Sequence, residues 1–249
     1  MRDYIVSSGF CVSCRRKVVL LVEVKDTKRK QICCTCGAIT RSNNAETLQP
    51  ESWIEHSLRV ARAIQDALEQ RRYLAASLSV MLGVSEVDVE TAVKLTGLLH
   101  DFGKLSIEWQ SKAGVSDLAS VNELLAHTKG RNYIDFPEHA VIGAYALWPA
   151  LVKGNTLPQV LVKAACFCIA DHHIPGSFEV PPYKLHPQWK TALEQVLKQC
   201  GLSGVFDLES VIAEQPAPTS LPEKPPQKNE KELYKTYILF LYWLKLANQ

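Results

Sequence analysis

The chain is 249 residues long, enough at ~150 residues per domain for one large domain with a small appendage and a substantial core. Its 28 Lys and Arg against 26 Asp and Glu leave a formal charge of +2, so a polyanionic partner has to be held by a local patch rather than by overall charge. With 22% charged and 47% hydrophobic residues the composition excludes intrinsic disorder.

The first ten residues, MRDYIVSSGF, lack a secretory apolar segment, and the apolar run Tyr237–Leu244 falls far short of the ~20 residues of a membrane span. A cytoplasmic protein with no membrane association is expected. Eight Cys in such a chain point to metal binding rather than to disulfides, since five of them fall between Cys11 and Cys36 in paired spacing.

In chain order, Phe10 to Thr40 predicts a β-hairpin: β-forming text from Val18 to Val24, a polar turn at Lys25 to Lys28, and a second short strand. A Cys pair stands at each end. Cys11-x2-Cys14, eighteen intervening residues, then Cys33-x2-Cys36-Gly37 is the spacing of a zinc ribbon, in which two tight turns offer four thiolates to one tetrahedral ion. Four thiolates leave no open position, so the single zinc expected on Cys11, Cys14, Cys33 and Cys36 is structural. Cys34 is a bystander in this reading. Arg15, Arg16, Lys17, Lys25, Lys28, Arg29 and Lys30 make the lobe basic, which suits phosphate contacts and a solvated hairpin surface equally.

Beyond the polar stretch Arg41 to Glu46 the text turns helical. Ser52-Trp-Ile-Glu55 after Pro50 has capping-box spacing and predicts a helix to about Arg71. Helical periodicity returns over about 85–100, 137–152 and 158–172, with Gly103 and Pro175-Gly176 as stop signals. No comparable strand text follows Thr40. Residues 215–229 form a Pro-rich connector that cannot be helical throughout, and an apolar closing helix from about Glu230 to Ala247 occupies the last segment, 230–249. The expected fold is mainly α, with a zinc ribbon over 1–46 and a helical domain over 47–249.

Five of the seven histidines, His56, His100, His139, His172 and His173, lie on or at the ends of these helices. His56 is in register with Val60, Ala63 and Ala67 beside the apolar face of Ile54, Leu58, Ala61, Ile64 and Leu68. His100 closes a helix whose inner face carries Val93 and Gly97, with Asp101 immediately after it, and His139 is in register with Ile142, Gly143 and Ala146. One such histidine is an ordinary core residue. Five together with an Asp are costly to bury, and a divalent ion or two supplies all their partners at once. His127 and His186 sit in polar or Pro-flanked text and are given no role.

The pattern His56, His100-Asp101, His139, His172-His173 resembles the HD metal-dependent phosphohydrolases. Leu98-Leu-His-Asp-Phe-Gly-Lys104 with Trp109-Gln110, and His172-His173-x-x-Gly176, further resemble the HD nuclease of type I CRISPR interference, over roughly residues 50–249. Many such nucleases are fused to a helicase; this chain ends without one, as in stand-alone nuclease subunits.

The resemblance implies an HD helical bundle and a dinuclear site for Mn, Ni, Co, Fe or Mg. One ion would be held by His56, His100 and Asp101, the other by Asp101, His139, His172 and His173, with Asp101 bridging. It further implies a catalytic part for Asp101 and for Lys104, whose ammonium would reach a non-bridging phosphate oxygen. Family members usually supply a further Asp from the last helix; Asn248 stands at that place and, as a neutral oxygen donor, should hold the first ion less tightly.

The substrate implied is single-stranded DNA, with a separate helicase subunit and an RNA-guided surveillance complex as partners. Gly97-x5-Gly103-Lys104-Leu105 is not a phosphate-binding P-loop, having one residue too many between the glycines and Leu where Ser or Thr must hold Mg²⁺. Two alternatives stand beside the nuclease: an HD nucleotide phosphohydrolase, which leaves a basic ribbon unexplained, and a weakened docking subunit, to which Asn248 points.

Overall fold

A computed structural model describes residues 50–128, 138–152, 156–172, 178–205, 207–224, 226–227 and 230–247; of residues 1–49 it describes the backbone of four strands. The chain divides into two compact units, Met1–Gln49 with Lys129–Arg131, and Pro50–Thr128 with Asn132–Gln249.

The first unit holds strands β1 (Tyr4–Phe10), β2 (Lys17–Glu23), β3 (Lys30–Cys33) and β4 (Ile39–Arg41), antiparallel in the order β1-β2-β3-β4. The expected hairpin is β2 and β3, registered Leu20 to Cys33 and Glu23 to Lys30. A strand on either flank extends it into a meander. Cys11, Cys14, Cys36 and the Cys33 side chain lie outside what is described, and so does the zinc they were expected to bind.

The second unit is mainly helical. Its described residues form α1 (Trp53–Gln70), α2 (Arg72–Leu82), α3 (Glu86–Leu99), α4 (Ile107–Ala113), α5 (His139–Val152), α6 (Gln159–Ala170), α7 (Trp189–Gln199) and α8 (Lys231–Ala247). Helix α1 starts where the capping box predicts. The Ser52 hydroxyl accepts from the Glu55 amide at 3.2 Å, and the Glu55 carboxylate accepts from the Ser52 amide at 3.3 Å. Its buried face runs through Ile54, Leu58, Ala61, Ile64 and Leu68, with His56 and Val60 buried beside it, as the 3.6-residue period requires.

Helix α3 packs across α1 and α6, α6 packs on α5 and α8, and α8 returns to α1, so a closed bundle surrounds one apolar core. Trp53, Ile64, Leu95, Leu98, Phe167, Phe240 and Trp243 are almost wholly enclosed in it, each side chain contributing ~1.5–3 kcal/mol by leaving water. Small residues set how closely the helices approach. A Cβ on Gly97 would stand 2.2 Å from the end of the Ile64 side chain, so a larger residue here would force Ile64 to turn aside from the α1–α3 contact.

Short strands absent from the sequence expectation tie the loops down. β5 (Glu51–Ser52) pairs with β6 (Leu125–His127), setting Glu51 opposite His127. The Pro-rich segment is more than a connector: β9 (Glu214–Gln215) pairs with β8 (Tyr183–Lys184), and β10 (Thr219–Ser220) pairs with β7 (Glu179–Val180). Proline forbids helix there but suits extended edge strands two residues long, which carry too little alternation to be read from sequence. Helices α2, α4 and α7 were likewise not anticipated. No helix among the described residues is long and apolar enough to cross a membrane.

Candidate metal centre

Helix α3 ends at His100, and Asp101 leads into a tight helical turn, Phe102–Leu105, that reverses the chain against α5. The reversal is close. A Cβ on Gly103 would fall 2.0 Å from the His139 carbonyl oxygen and 2.7 Å from the Gly143 amide, so the turn can touch the start of α5 only through glycine. The Trp53 indole N–H donates to the Asp101 carbonyl at 3.0 Å, fixing the same turn from α1.

Four helices therefore deliver imidazoles to one carboxylate. His56 Nε2 from α1 is 2.9 Å and His100 Nε2 from the end of α3 is 3.4 Å from Asp101 Oδ2. On the other oxygen, His139 Nε2 from α5 is 3.1 Å and His172 Nε2, just past α6, is 3.4 Å from Oδ1. Two triads result, His56 with His100 and Asp101, and Asp101 with His139 and His172, each compact enough to hold a metal ion. His173 and Asn248 lie outside the described residues.

The ring orientations are set by second bonds. His100 Nδ1 donates to the Gly97 carbonyl at 2.8 Å, and His172 Nδ1 donates to the Ile169 carbonyl at 2.7 Å, each three residues back on its own helix. With Nδ1 carrying the proton, Nε2 presents a lone pair, and that lone pair faces a carboxylate oxygen. A proton or a metal cation between the two atoms is what makes that approach favourable. His56 has a different tether. Its Nδ1 is 2.9 Å from Glu51 Oε2, and Glu51 is gripped by Arg59 through Nε at 2.8 Å and Nη2 at 3.0 Å.

Burial and mutual charge set the protonation. Burial pushes His100 well below the ordinary imidazole range, and holds His139 at about 3 despite its bond to Asp101. Both are neutral at pH 7, the form that binds metal. Burial opposes ionisation of Asp101, but His100, Lys104 and the imidazoles of His139 and His172 outweigh it and hold the carboxyl well below its usual range. His56 is also disfavoured as a cation by burial, yet its bonds to Asp101 and Glu51 raise it above the ordinary value.

Lys104 is 4% exposed. Its Nζ donates to Asp101 Oδ2 at 2.8 Å and to the Ala126 carbonyl at 3.1 Å, over the Trp109 ring at 5.6 Å. The ammonium thus points at the carboxylate it follows in sequence. Gln110 completes the frame: its amide donates to the Lys104 carbonyl at 2.6 Å and the Leu125 carbonyl at 2.9 Å, and its oxygen accepts from the Leu125 amide at 3.0 Å.

Sequence reasoning passed over three residues here. Glu51 precedes the helix and has no helical register with His56, so no period could flag it. Arg59 follows His56 at i+3 and reads as an ordinary solvated charge. His127 was set aside, yet its Nε2 lies 3.2 Å from His56 Nδ1 and 3.9 Å from Glu51 Oε2; the apolar run Leu124-Leu125-Ala126 before it was the available signal of a short buried strand. His186 is buried elsewhere, with Nε2 at 3.1 Å from the Ser116 carbonyl and Nδ1 accepting from the Gln188 amide at 3.2 Å, a structural role.

A helical bundle that gathers His, His-Asp, His and His from α1, α3, α5 and α6 around one aspartate defines a metal-dependent hydrolase of the HD class. The chain matches the family described as Cas3, HD domain, over residues 40–222, well over half its length, and belongs to that family. No curated protein and no solved structure matches it.

Proposed function

We propose that this protein is a metal-dependent nuclease that hydrolyses phosphodiester bonds of single-stranded DNA during CRISPR interference, through a dinuclear site. The observation that carries the reading is the pair of carbonyl-tethered histidines, His100 and His172, whose Nε2 atoms face opposite oxygens of the buried Asp101 carboxylate. Nitrogens oriented in this way suit two cations sharing one carboxylate.

One ion would be held by His56, His100 and Asp101, the second by Asp101, His139 and His172 together with His173. Two divalent ions (Mn, Ni, Co, Fe or Mg) supply there an activated water and neutralisation of the scissile phosphate. The chain's own groups do the rest. Asp101 contributes the shared negative charge, Lys104 fixes one of its oxygens, and the carbonyl tethers keep the imidazoles in the ligating tautomer. The neutral His100 and His139 need lose no proton to bind metal at pH 7.

The partners that fit this reading are a helicase, which exposes the single strand, and an RNA-guided surveillance complex, which selects it. Cys11, Cys14, Cys33 and Cys36 are proposed to hold a structural zinc in the first unit. Asn248, next after α8 in sequence, is proposed as a neutral ligand of the first ion; Asn248→Asp should then raise both metal affinity and cleavage rate, and identical titrations and rates would remove it from the ligand set.

The test incubates the purified protein with labelled single-stranded DNA, duplex DNA and a nucleotide panel, adding Mn²⁺, Ni²⁺, Co²⁺ or Mg²⁺ in turn. Degradation of single-stranded DNA that disappears in His100→Ala is the expected result. Turnover of nucleotides alone would instead mark a nucleotide phosphohydrolase, and inertness toward every substrate a docking subunit.

A further inference from the structure

Three of the ligand candidates, His56, His100 and His172, are oriented by unlike devices. His100 and His172 donate Nδ1–H to main-chain carbonyls, Gly97 at 2.8 Å and Ile169 at 2.7 Å, which no substitution can delete. His56 sits mid-helix, one turn into α1, where every nearby carbonyl is committed to the helix ladder; its Nδ1 instead meets a side chain, Glu51 Oε2, at 2.9 Å. Three groups crowd that nitrogen: Glu51 Oε2, Arg59 Nη2 at 2.9 Å and His127 Nε2 at 3.2 Å. Only the carboxylate is a full acceptor, so the proton on Nδ1 belongs to the Glu51 bond. That leaves Nε2, 2.9 Å from Asp101 Oδ2, as the nitrogen that faces the site.

Glu51 is itself well anchored. Arg59 engages both its oxygens in a fork, Nε on Oε1 at 2.8 Å and Nη2 on Oε2 at 3.0 Å, and the same Nη2 is 2.9 Å from His56 Nδ1. The strand pair β5 and β6 fixes the Glu51 backbone opposite His127, and β6 is in turn clamped by Gln110. A continuous set of bonds therefore runs from the turn after Asp101, through Gln110, β6 and β5, to the far side of His56.

We infer that Glu51, held by Arg59, is the positioning residue that makes His56 a metal ligand through Nε2. The inference rests on the dinuclear reading above, and it makes the first ion depend on a replaceable carboxylate behind His56 as well as on the Gly97 carbonyl behind His100, whereas His172 of the second ion has a main-chain tether.

The test is a calorimetric Mn²⁺ titration of the metal-free wild-type protein, Glu51→Ala, Glu51→Gln and Asp101→Ala. Loss of an orienting partner of this kind costs ~10–100-fold in metal affinity. Glu51→Ala should weaken one binding event by that factor and leave the other within about twofold, and Glu51→Gln, whose carbonyl still accepts from Nδ1–H, should lose less. The structural readout is the imidazole ¹⁵N spectrum of the Zn²⁺-loaded wild-type protein, in which His56 should carry its proton on Nδ1 and bind metal through Nε2. A folded Glu51→Ala protein that titrates like wild type overturns the inference, as does His56 ligated through Nδ1. Should Glu51→Ala fail to fold, the wild-type spectrum decides alone. Absence of Mn²⁺ binding in wild type, or its persistence in Asp101→Ala, would instead sink the dinuclear reading itself.

Discussion

Asp101 is a buried anion surrounded by four imidazoles and the Lys104 ammonium, and Lys104 is a buried cation whose acidic partner among the described residues is Asp101, 2.8 Å away. Neither can be removed alone without consequence. Deleting the carboxylate strands the ammonium against the Ala126 carbonyl and the Trp109 ring, and an unpaired buried charge of this kind costs ~3–5 kcal/mol. Asp101→Ala is therefore expected to abolish metal binding and also to lower stability by about that amount. Adding Lys104→Met should restore most of the stability while leaving hydrolysis lost, because methionine fills the stem volume without the charge. Urea denaturation of the single and double variants in chelator, beside a metal titration, separates the two effects. Equal stability of wild type and Asp101→Ala would mean that the ammonium finds another partner.

At the scale of elements, the site depends on how closely the turn after α3 can lie against α5. Gly103→Ala would thrust a methyl group into the His139 carbonyl and the Gly143 amide, both main-chain atoms that cannot step aside. The helix must shift, at a cost of ~1–3 kcal/mol for overpacking, and His139 moves away from Asp101 with it. The contrast is Gly83→Ala at the end of α2: nothing lies within 4 Å, but the backbone φ of 65° makes alanine strained by ~1–2 kcal/mol. Both variants should melt earlier, and only Gly103→Ala should also weaken Mn²⁺ binding. The same elements explain what the sequence could disclose. Helices α1, α3, α5, α6 and α8 carry their own signals in period, caps and stops, so the residues they present inward, His56, His100, His139 and His172, were legible with them. Glu51 and His127 meet through a pairing of β5 with β6 across more than seventy residues, and two or three residues of strand carry no period to read. Lys104 was legible as a residue of the site but not in its direction; its place over Trp109 and under Asp101 follows from the turn geometry alone. Arg59 looks like any exposed helix charge until Glu51 is placed opposite it.

Taken as a whole, the helical unit has gathered its buried titratable groups about one point, and this couples folding to pH. Burial depresses His100, His127 to about 4 and His139 to about 3, against an ordinary value of 6.5. Between those values and 6.5 the unfolded chain binds a proton at each position and the folded chain does not, so each contributes stability that is complete above 6.5 and declines as pH falls. His56 has the opposite sign: its raised value gives stability present below 6.5 and lost as pH climbs through its folded value. Below 6.5 His56 is protonated in both states and adds no slope. Asp101 and Glu51, both depressed, add stability that is lost only on acidification below about 4. The window from 6.5 down to about 4 thus belongs to His100, His127 and His139, each able to contribute up to ~1.4 kcal/mol per pH unit. The metal-free protein should melt at progressively lower temperature as pH is taken from 7 to 6 to 5. His127→Gln, which removes one of the three groups, should flatten that dependence by about a third, since each group carries one proton. Divalent metal, which binds the deprotonated imidazoles of the folded state, should raise the melting temperature at pH 7 and lose that effect toward pH 5. A metal-free melting temperature that holds level or rises on acidification would mean that these imidazoles already carry their protons in the folded protein, and the neutral His100 and His139 described here would not exist at pH 7.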